Sequence, residues 1–180
     1  MIDTINELAK AAHENAIAHG FYEDPDPERL FALIHDELSE AIEEERNGAG
    51  LWEELETDDG VHFGHAGVAE ELADFVIRLL DYAAYRRLTI PTAQSIVPVY
   101  DNLPRLVNVL HDMVCDIWRA QAATPGKYEA AWGRTTANLI HTAIETVEAY
   151  LDDRCVDLWV AVREKMAYNW TREYLHGKLY

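Results

Sequence analysis

Apolar residues recur at intervals of three and four along nearly the whole chain, a period that suits helices and little else. Alternating β-branched runs are missing, and no Asn-Gly pair sits between two such runs, so strand signals are nearly absent. Caps and breakers divide the helical pattern into six. The first helix is expected from about Thr4 to His19, with Asp3 as cap and Gly20 as stop. Asp26 caps a second helix, with Pro27 at its first position and an end near Asn47-Gly48. Ala49 to Gly67 is glycine-rich and acidic and reads as irregular. A third helix runs from about Val68 to Leu88, ahead of Pro91. The remaining three cover about Leu103–Ala123, Tyr128–Leu151 and Val156–Leu175. No linker or internal repeat divides the chain, and 49% of it is apolar. The expectation is one all-α domain over residues 1–180, with about six helices and a sizeable core.

Charge limits what this domain can bind. The net charge is −18, and a field of that sign repels duplexes and anionic membranes. The start of the chain is amphipathic and acidic, unlike a secretion signal, and no apolar run reaches the length of a membrane span. Cys115 and Cys155 have no paired spacing and read as inert thiols of a reducing compartment. The expected location is the cytoplasm. Arg154, Arg163, Lys165, Arg172 and Lys178 collect near the end, opposite the acidic first third.

The acidic residues are not spread evenly around their helices. Ile34, Leu38, Ala41 and Ile42 form the apolar stripe of the second helix. Glu37 and Glu40 lie along its edge, with Asp36 and Glu43 further toward solvent. On the third helix Val68, Leu72, Phe75, Val76 and Leu79 make the stripe. Glu71 and Asp74 share its edge, and Arg78 stands beyond them. If the two helices pack side by side, Glu37, Glu40, Glu71 and Asp74 converge. Four converging carboxylates raise each other's pKa, which either protonation or a bound cation relieves. An all-oxygen set suits Mg²⁺, with Mn²⁺ as an alternative. Spacing alone favours the plainer reading, two acidic flanks with Arg78 as their ion-pair partner.

On the sixth helix Lys165, Asn169, Arg172 and His176 follow one another at i, i+4, i+7 and i+11. They make either a solvated basic edge or a set of phosphate donors. His62 and His65 read as surface histidines, and Trp52, in the same segment, as a weak candidate for stacking on a base. No phosphate-binding P-loop, GxSxG or GxGxxG occurs.

Three stretches, "LIHDELSEAIEE", "AEELADFVIRLLDYAA" and the terminal "EKMAYNWTREYLHGK", resemble the MazG-like all-α nucleotide pyrophosphohydrolases in kind and order. The family's EExxE and ExxD appear as Asp36-Glu37-Leu38-Ser39-Glu40 and Glu71-Leu72-Ala73-Asp74. The resemblance implies a MazG-like bundle carrying an added helical pair. It implies Mg²⁺ held by Glu37, Glu40, Glu71 and Asp74. Asp36, one methylene shorter than the family's glutamate, stands where water is activated. Lys165, Asn169, Arg172 and Arg78 would hold the substrate, a nucleoside triphosphate cleaved to monophosphate and pyrophosphate by a homodimer or homotetramer. The long segment between Glu40 and Glu71, and the helices between Thr92 and Leu151, depart from the minimal unit. The alternative is an acidic helical protein that mimics nucleic acid and binds a basic partner, with those carboxylates exposed.

Overall fold

The computed structural model of the protein describes residues 4–56, 62–122 and 129–177. The described residues are mainly helical, in six α-helices and a short two-stranded ladder. The helices are α1 (Ile5–Ala18), α2 (Pro27–Asn47), α3 (Val68–Tyr85), α4 (Leu103–Ala122), α5 (Glu129–Asp152) and α6 (Leu158–Trp170). The strands are β1 (Glu53–Glu56) and β2 (His62–Ala66), and a 3₁₀ turn covers Tyr174–Gly177. The all-α expectation and the six helices hold.

Local chemistry accounts for most boundaries. Thr4 caps α1 in a capping box, its backbone N–H donating to Glu7 Oε2 at 2.9 Å. The expected cap, Asp3, lies outside the described residues. Asp26 accepts from the Glu28 N–H at 2.9 Å with Pro27 behind it, and Gly48, in the left-handed region at φ 84°, closes α2. Two ends fall short of expectation. Helix α3 stops at Tyr85 because Arg87 turns left-handed at φ 55° and Leu88 N–H reaches back to Ala83 O at 2.8 Å. Helix α6 is capped by Asp157 and stops at Trp170, five residues before the expected Leu175.

Helix α3 is the centre of the bundle and packs against α1, α2, α5 and α6. Leu72, Ala73, Phe75, Val76, Leu79 and Leu80 on it are fully buried. Helices α4 and α5 pack on each other, with α4 also against α2, and one apolar core runs through all six. Among the described residues no helix is long and apolar enough to cross a membrane. Both cysteines are free thiols, Cys115 half-buried and Cys155 exposed.

The segment expected to be irregular contains the ladder. Glu53 pairs with Ala66, Glu54 with His65 and Leu55 with Gly64, antiparallel. Its anchors are distant in sequence. Helix α3 has no side-chain cap, and the carbonyls of Gly50 and Leu51 take the N–H groups of Val68 (3.3 Å) and Ala69 (2.8 Å) instead. That approach needs glycine at 67: φ is 104°, and a Cβ would meet Gly50 O at 2.3 Å. His65, expected at the surface, is half-buried, and its Nδ1 donates to Glu164 Oε2 of α6 at 2.6 Å. Trp52 packs on the His65 ring with centroids 4.4 Å apart. The His62 side chain lies outside the described residues.

Candidate functional site

Helices α2 and α3 do pack side by side, and their carboxylate edges face each other across a cavity of about 160 Å³. Asp36, Glu37 and Glu40 line it from α2, and Glu71, Asp74 and Arg78 from α3. Lys165, Asn169 and Arg172 close it from the C-terminal segment. All nine residues singled out in the sequence therefore border one space. Glu37, Glu71 and Asp74 each bring a carboxylate oxygen to within 4.8 Å of the others. Glu40 lines the same cavity outside that trio, and Asp36 stands at its exposed rim.

Apart from Asp36, the carboxylates are partly or largely withdrawn from solvent. Glu37 is 7% exposed, and Glu40, Glu71 and Asp74 are half-buried. Burial and then the Asp74 carboxylate push Glu37 up to about 7, against the pull of Arg78. Burial pushes Glu71 up to about 8; Lys165 opposes the shift, and the Asp74, Glu37 and Glu40 carboxylates add to it. Three carboxylate oxygens crowded together at this cost of desolvation could hold a metal ion.

Two of the basic groups, Arg78 and Lys165, are ion-paired. Arg78 Nε donates to Glu37 Oε1 at 3.0 Å, and the guanidinium lies 5.2 Å over the Phe21 ring. Burial disfavours its charge, yet Glu37, with Asp74 and Asp81, outweighs that and raises its pKa. Lys165 Nζ lies 2.9 Å from Asp74 Oδ2 and also donates to Glu70. Burial works against this ammonium too, but Asp74 and Glu70 hold it above the ordinary lysine value. Asn169 Nδ2 donates to Asp74 Oδ1 at 3.2 Å. The side chain that spacing marked for phosphate thus sits on the carboxylates, where it neutralises part of their charge.

Arg172 reaches the cavity by a different route from the one the helical register implied. Beyond the end of α6 it is carried by a turn, whose carbonyl at 172 accepts from His19 Nε2 at 3.1 Å. Leu175 N–H donates to His19 O at 2.9 Å and holds the same segment to α1. The His176 side chain lies outside the described residues.

Sequence reasoning missed four residues of the cavity region. Glu70, which holds Lys165, stands one turn before Asp74 on the same edge. Asn15, Phe21 and Asp81 line the cavity from the α1 side and from further along α3. A signal existed for Asn15: it continues the buried α1 stripe of Leu8 and Ala12 at i+7 and i+3, and a polar residue there needs a reason. Comparison of the chain with family models, curated proteins and solved structures gives no match.

Proposed function

We propose that the protein is a Mg²⁺-dependent nucleoside triphosphate pyrophosphohydrolase, releasing the monophosphate and pyrophosphate. The observation that carries this reading is the convergence of Glu37, Glu71 and Asp74 in a cavity that Lys165, Asn169 and Arg172 also line. The resemblance of the two acidic stretches and the terminal basic stretch to the MazG-like enzymes supports it further.

Glu37, Glu71 and Asp74 fit a hard divalent cation by donor chemistry and proximity, with Glu40 as the fourth carboxylate. A cation bound there would supply positive charge against the triphosphate and lower the pKa of a water. Asp36 at the rim is the group that takes the proton from the attacking water. Lys165, which lies on Asp74 in the structure, is the ammonium that would be available to the phosphates with a cation held by that carboxylate. Arg172 and Asn169 hold the leaving pyrophosphate as charge moves onto it. Arg78 stays on Glu37 and keeps one of its oxygens fixed, so its part is to position a ligand as well as to attract substrate.

The competing reading, an acidic mimic of nucleic acid, needs these carboxylates on the surface; the burial of Glu37 favours the enzyme. The working form proposed is a cytoplasmic homodimer or homotetramer, which sedimentation reads directly. The test of function is turnover of each ribo- and deoxynucleoside triphosphate with Mg²⁺ and with a chelator. Pyrophosphate release that stops with chelator supports the proposal, and no release from any of them sinks it.

A further inference from the structure

Arg172 stands apart from the other cations of the cavity. Arg78 lies on Glu37, and Lys165 on Asp74 and Glu70, whereas Arg172 forms no ion pair among the described residues. It is half-buried where it lines the cavity, and its guanidinium lies 5.8 Å from the centre of the exposed Tyr168 ring. A long, flexible cation beside crowded carboxylates gains most by pairing with one of them. A restraint elsewhere must hold it off.

That restraint is in the backbone. Helix α6 ends at Trp170, and the chain turns before it reaches Arg172. The turn is seated on His19, the residue that closes the C-terminal end of α1 and is 8% exposed. Each ring nitrogen of His19 faces a carbonyl oxygen: Nδ1 that of Asn15 at 2.8 Å, one turn back on α1, and Nε2 that of Arg172 at 3.1 Å. The first contact fixes the ring, and the second fixes the chain at Arg172. The His19 carbonyl in turn accepts from Leu175 N–H at 2.9 Å. Gly20 completes the seat: its φ is 86°, and a Cβ there would collide with the Tyr174 ring. Residues 172, 174 and 175 are thus all located by the pair His19-Gly20.

We infer that His19 is a positioning residue for anion binding: it fixes the backbone at Arg172, so that the guanidinium borders the cavity without a carboxylate partner and keeps its donors for phosphate oxygens. The inference rests on the hydrolase reading only for the anion being a polyphosphate. A guanidinium already paired with a carboxylate would have to give up that pair before it could take a phosphate. One held in place and unpaired binds without that loss and with little further ordering of its side chain. Without the ring nitrogens the turn is freed, and Arg172 is drawn toward the carboxylates as Arg78 and Lys165 are.

The test pairs binding of inorganic pyrophosphate in Mg²⁺, read by calorimetry, with turnover of triphosphates. His19→Phe keeps a ring and removes both nitrogens. It should weaken pyrophosphate binding about tenfold, and by no more than Arg172→Ala does. In an Arg172→Ala background the same change should move the affinity by less than about twofold, because it acts through Arg172. Mg²⁺ affinity without pyrophosphate should stay the same, whereas a general loosening of α6 would alter it through the Lys165 contact with Asp74. His19→Gln, which keeps a single donor end, is the second variant and should fall between wild type and His19→Phe. No pyrophosphate binding by the wild-type protein, wild-type affinity in both His19 variants, or a loss that persists without Arg172 overturns the positioning role and leaves the hydrolase standing. The expected losses without hydrolysis of any triphosphate overturn the hydrolase and leave the positioning role.

Discussion

Replacing Lys165 by methionine keeps the length of the side chain and removes only its charge. In the metal-free protein that ammonium is 10% exposed and lies 2.9 Å from Asp74 Oδ2, with Glu70 as a second partner. At an effective dielectric of about 20, one such contact is worth about 6 kcal/mol before desolvation is subtracted. Breaking a buried pair by removing one partner typically costs about 3–5 kcal/mol, because the other charge stays behind. Asp74 and Glu70 retain some exposure, which puts Lys165→Met near the lower figure, about 3 kcal/mol. For a chain of this length that is a fall in Tm of roughly 6–12 °C. The same change leaves Asp74 without its counter-charge, so Mg²⁺ should bind the variant about tenfold more tightly, and saturating Mg²⁺ should restore much of the lost Tm. Scanning calorimetry with chelator and with Mg²⁺, and a Mg²⁺ titration without nucleotide, read both effects. Turnover should nonetheless fall, since the phosphates lose a charged donor. A variant with wild-type Tm and wild-type Mg²⁺ affinity would show that Lys165 is a solvated edge residue, and the reasoning would fail.

Other consequences follow from the same geometry. Glu37→Gln, Glu71→Gln or Asp74→Asn should each abolish turnover, and near-normal rates in two of the three would remove the metal assignment. The metal-free Tm should hold or rise for Glu71→Gln, which relieves crowded negative charge, and should fall for Glu37→Gln and Asp74→Asn, which leave Arg78 and Lys165 without their buried partners. Glu37 and Glu71 have folded pKa values of about 7 and about 8, above the ordinary 4.5. Between about pH 4.5 and 8 the folded state therefore holds more protons than the unfolded chain, and metal-free stability should fall as pH rises through that window. Denaturant titrations across it, with and without Mg²⁺, should show the decline in chelator and a flatter profile with the cation. Gly67→Ala, at φ 104° and against Gly50 O, should cost about 1–3 kcal/mol and loosen the ladder; hydrogen exchange of the Val68 and Ala69 amides reads it.

The helices were legible because period and caps are local. Asp26-Pro27 and Gly48 mark α2 without reference to anything else in the chain. The α3 end was not legible, since nothing in "YRRL" announces that Arg87 adopts a left-handed conformation. Strands β1 and β2 were hidden for a related reason. "EELE" has low β-propensity, and what holds the ladder is Gly50 and Leu51 under the α3 N-terminus and Glu164 on His65. In the site, spacing predicted which carboxylate edges would face each other. It did not predict their partners, because the Lys165–Asp74 and Arg78–Glu37 contacts join distant positions whose distances depend on packing. Asn15 and Asp81 belong to no motif, and only the shape of the cavity unites them with the carboxylates.

The central claim is that this cavity directs water to the α-phosphorus of a nucleoside triphosphate. Hydrolysis in ¹⁸O-labelled water, followed by phosphorus NMR and mass analysis of the products, tests it most directly. The account predicts nucleoside monophosphate carrying one label together with unlabelled pyrophosphate, and no product from Asp74→Asn. Nucleoside diphosphate with labelled orthophosphate, or label in the pyrophosphate, would contradict it.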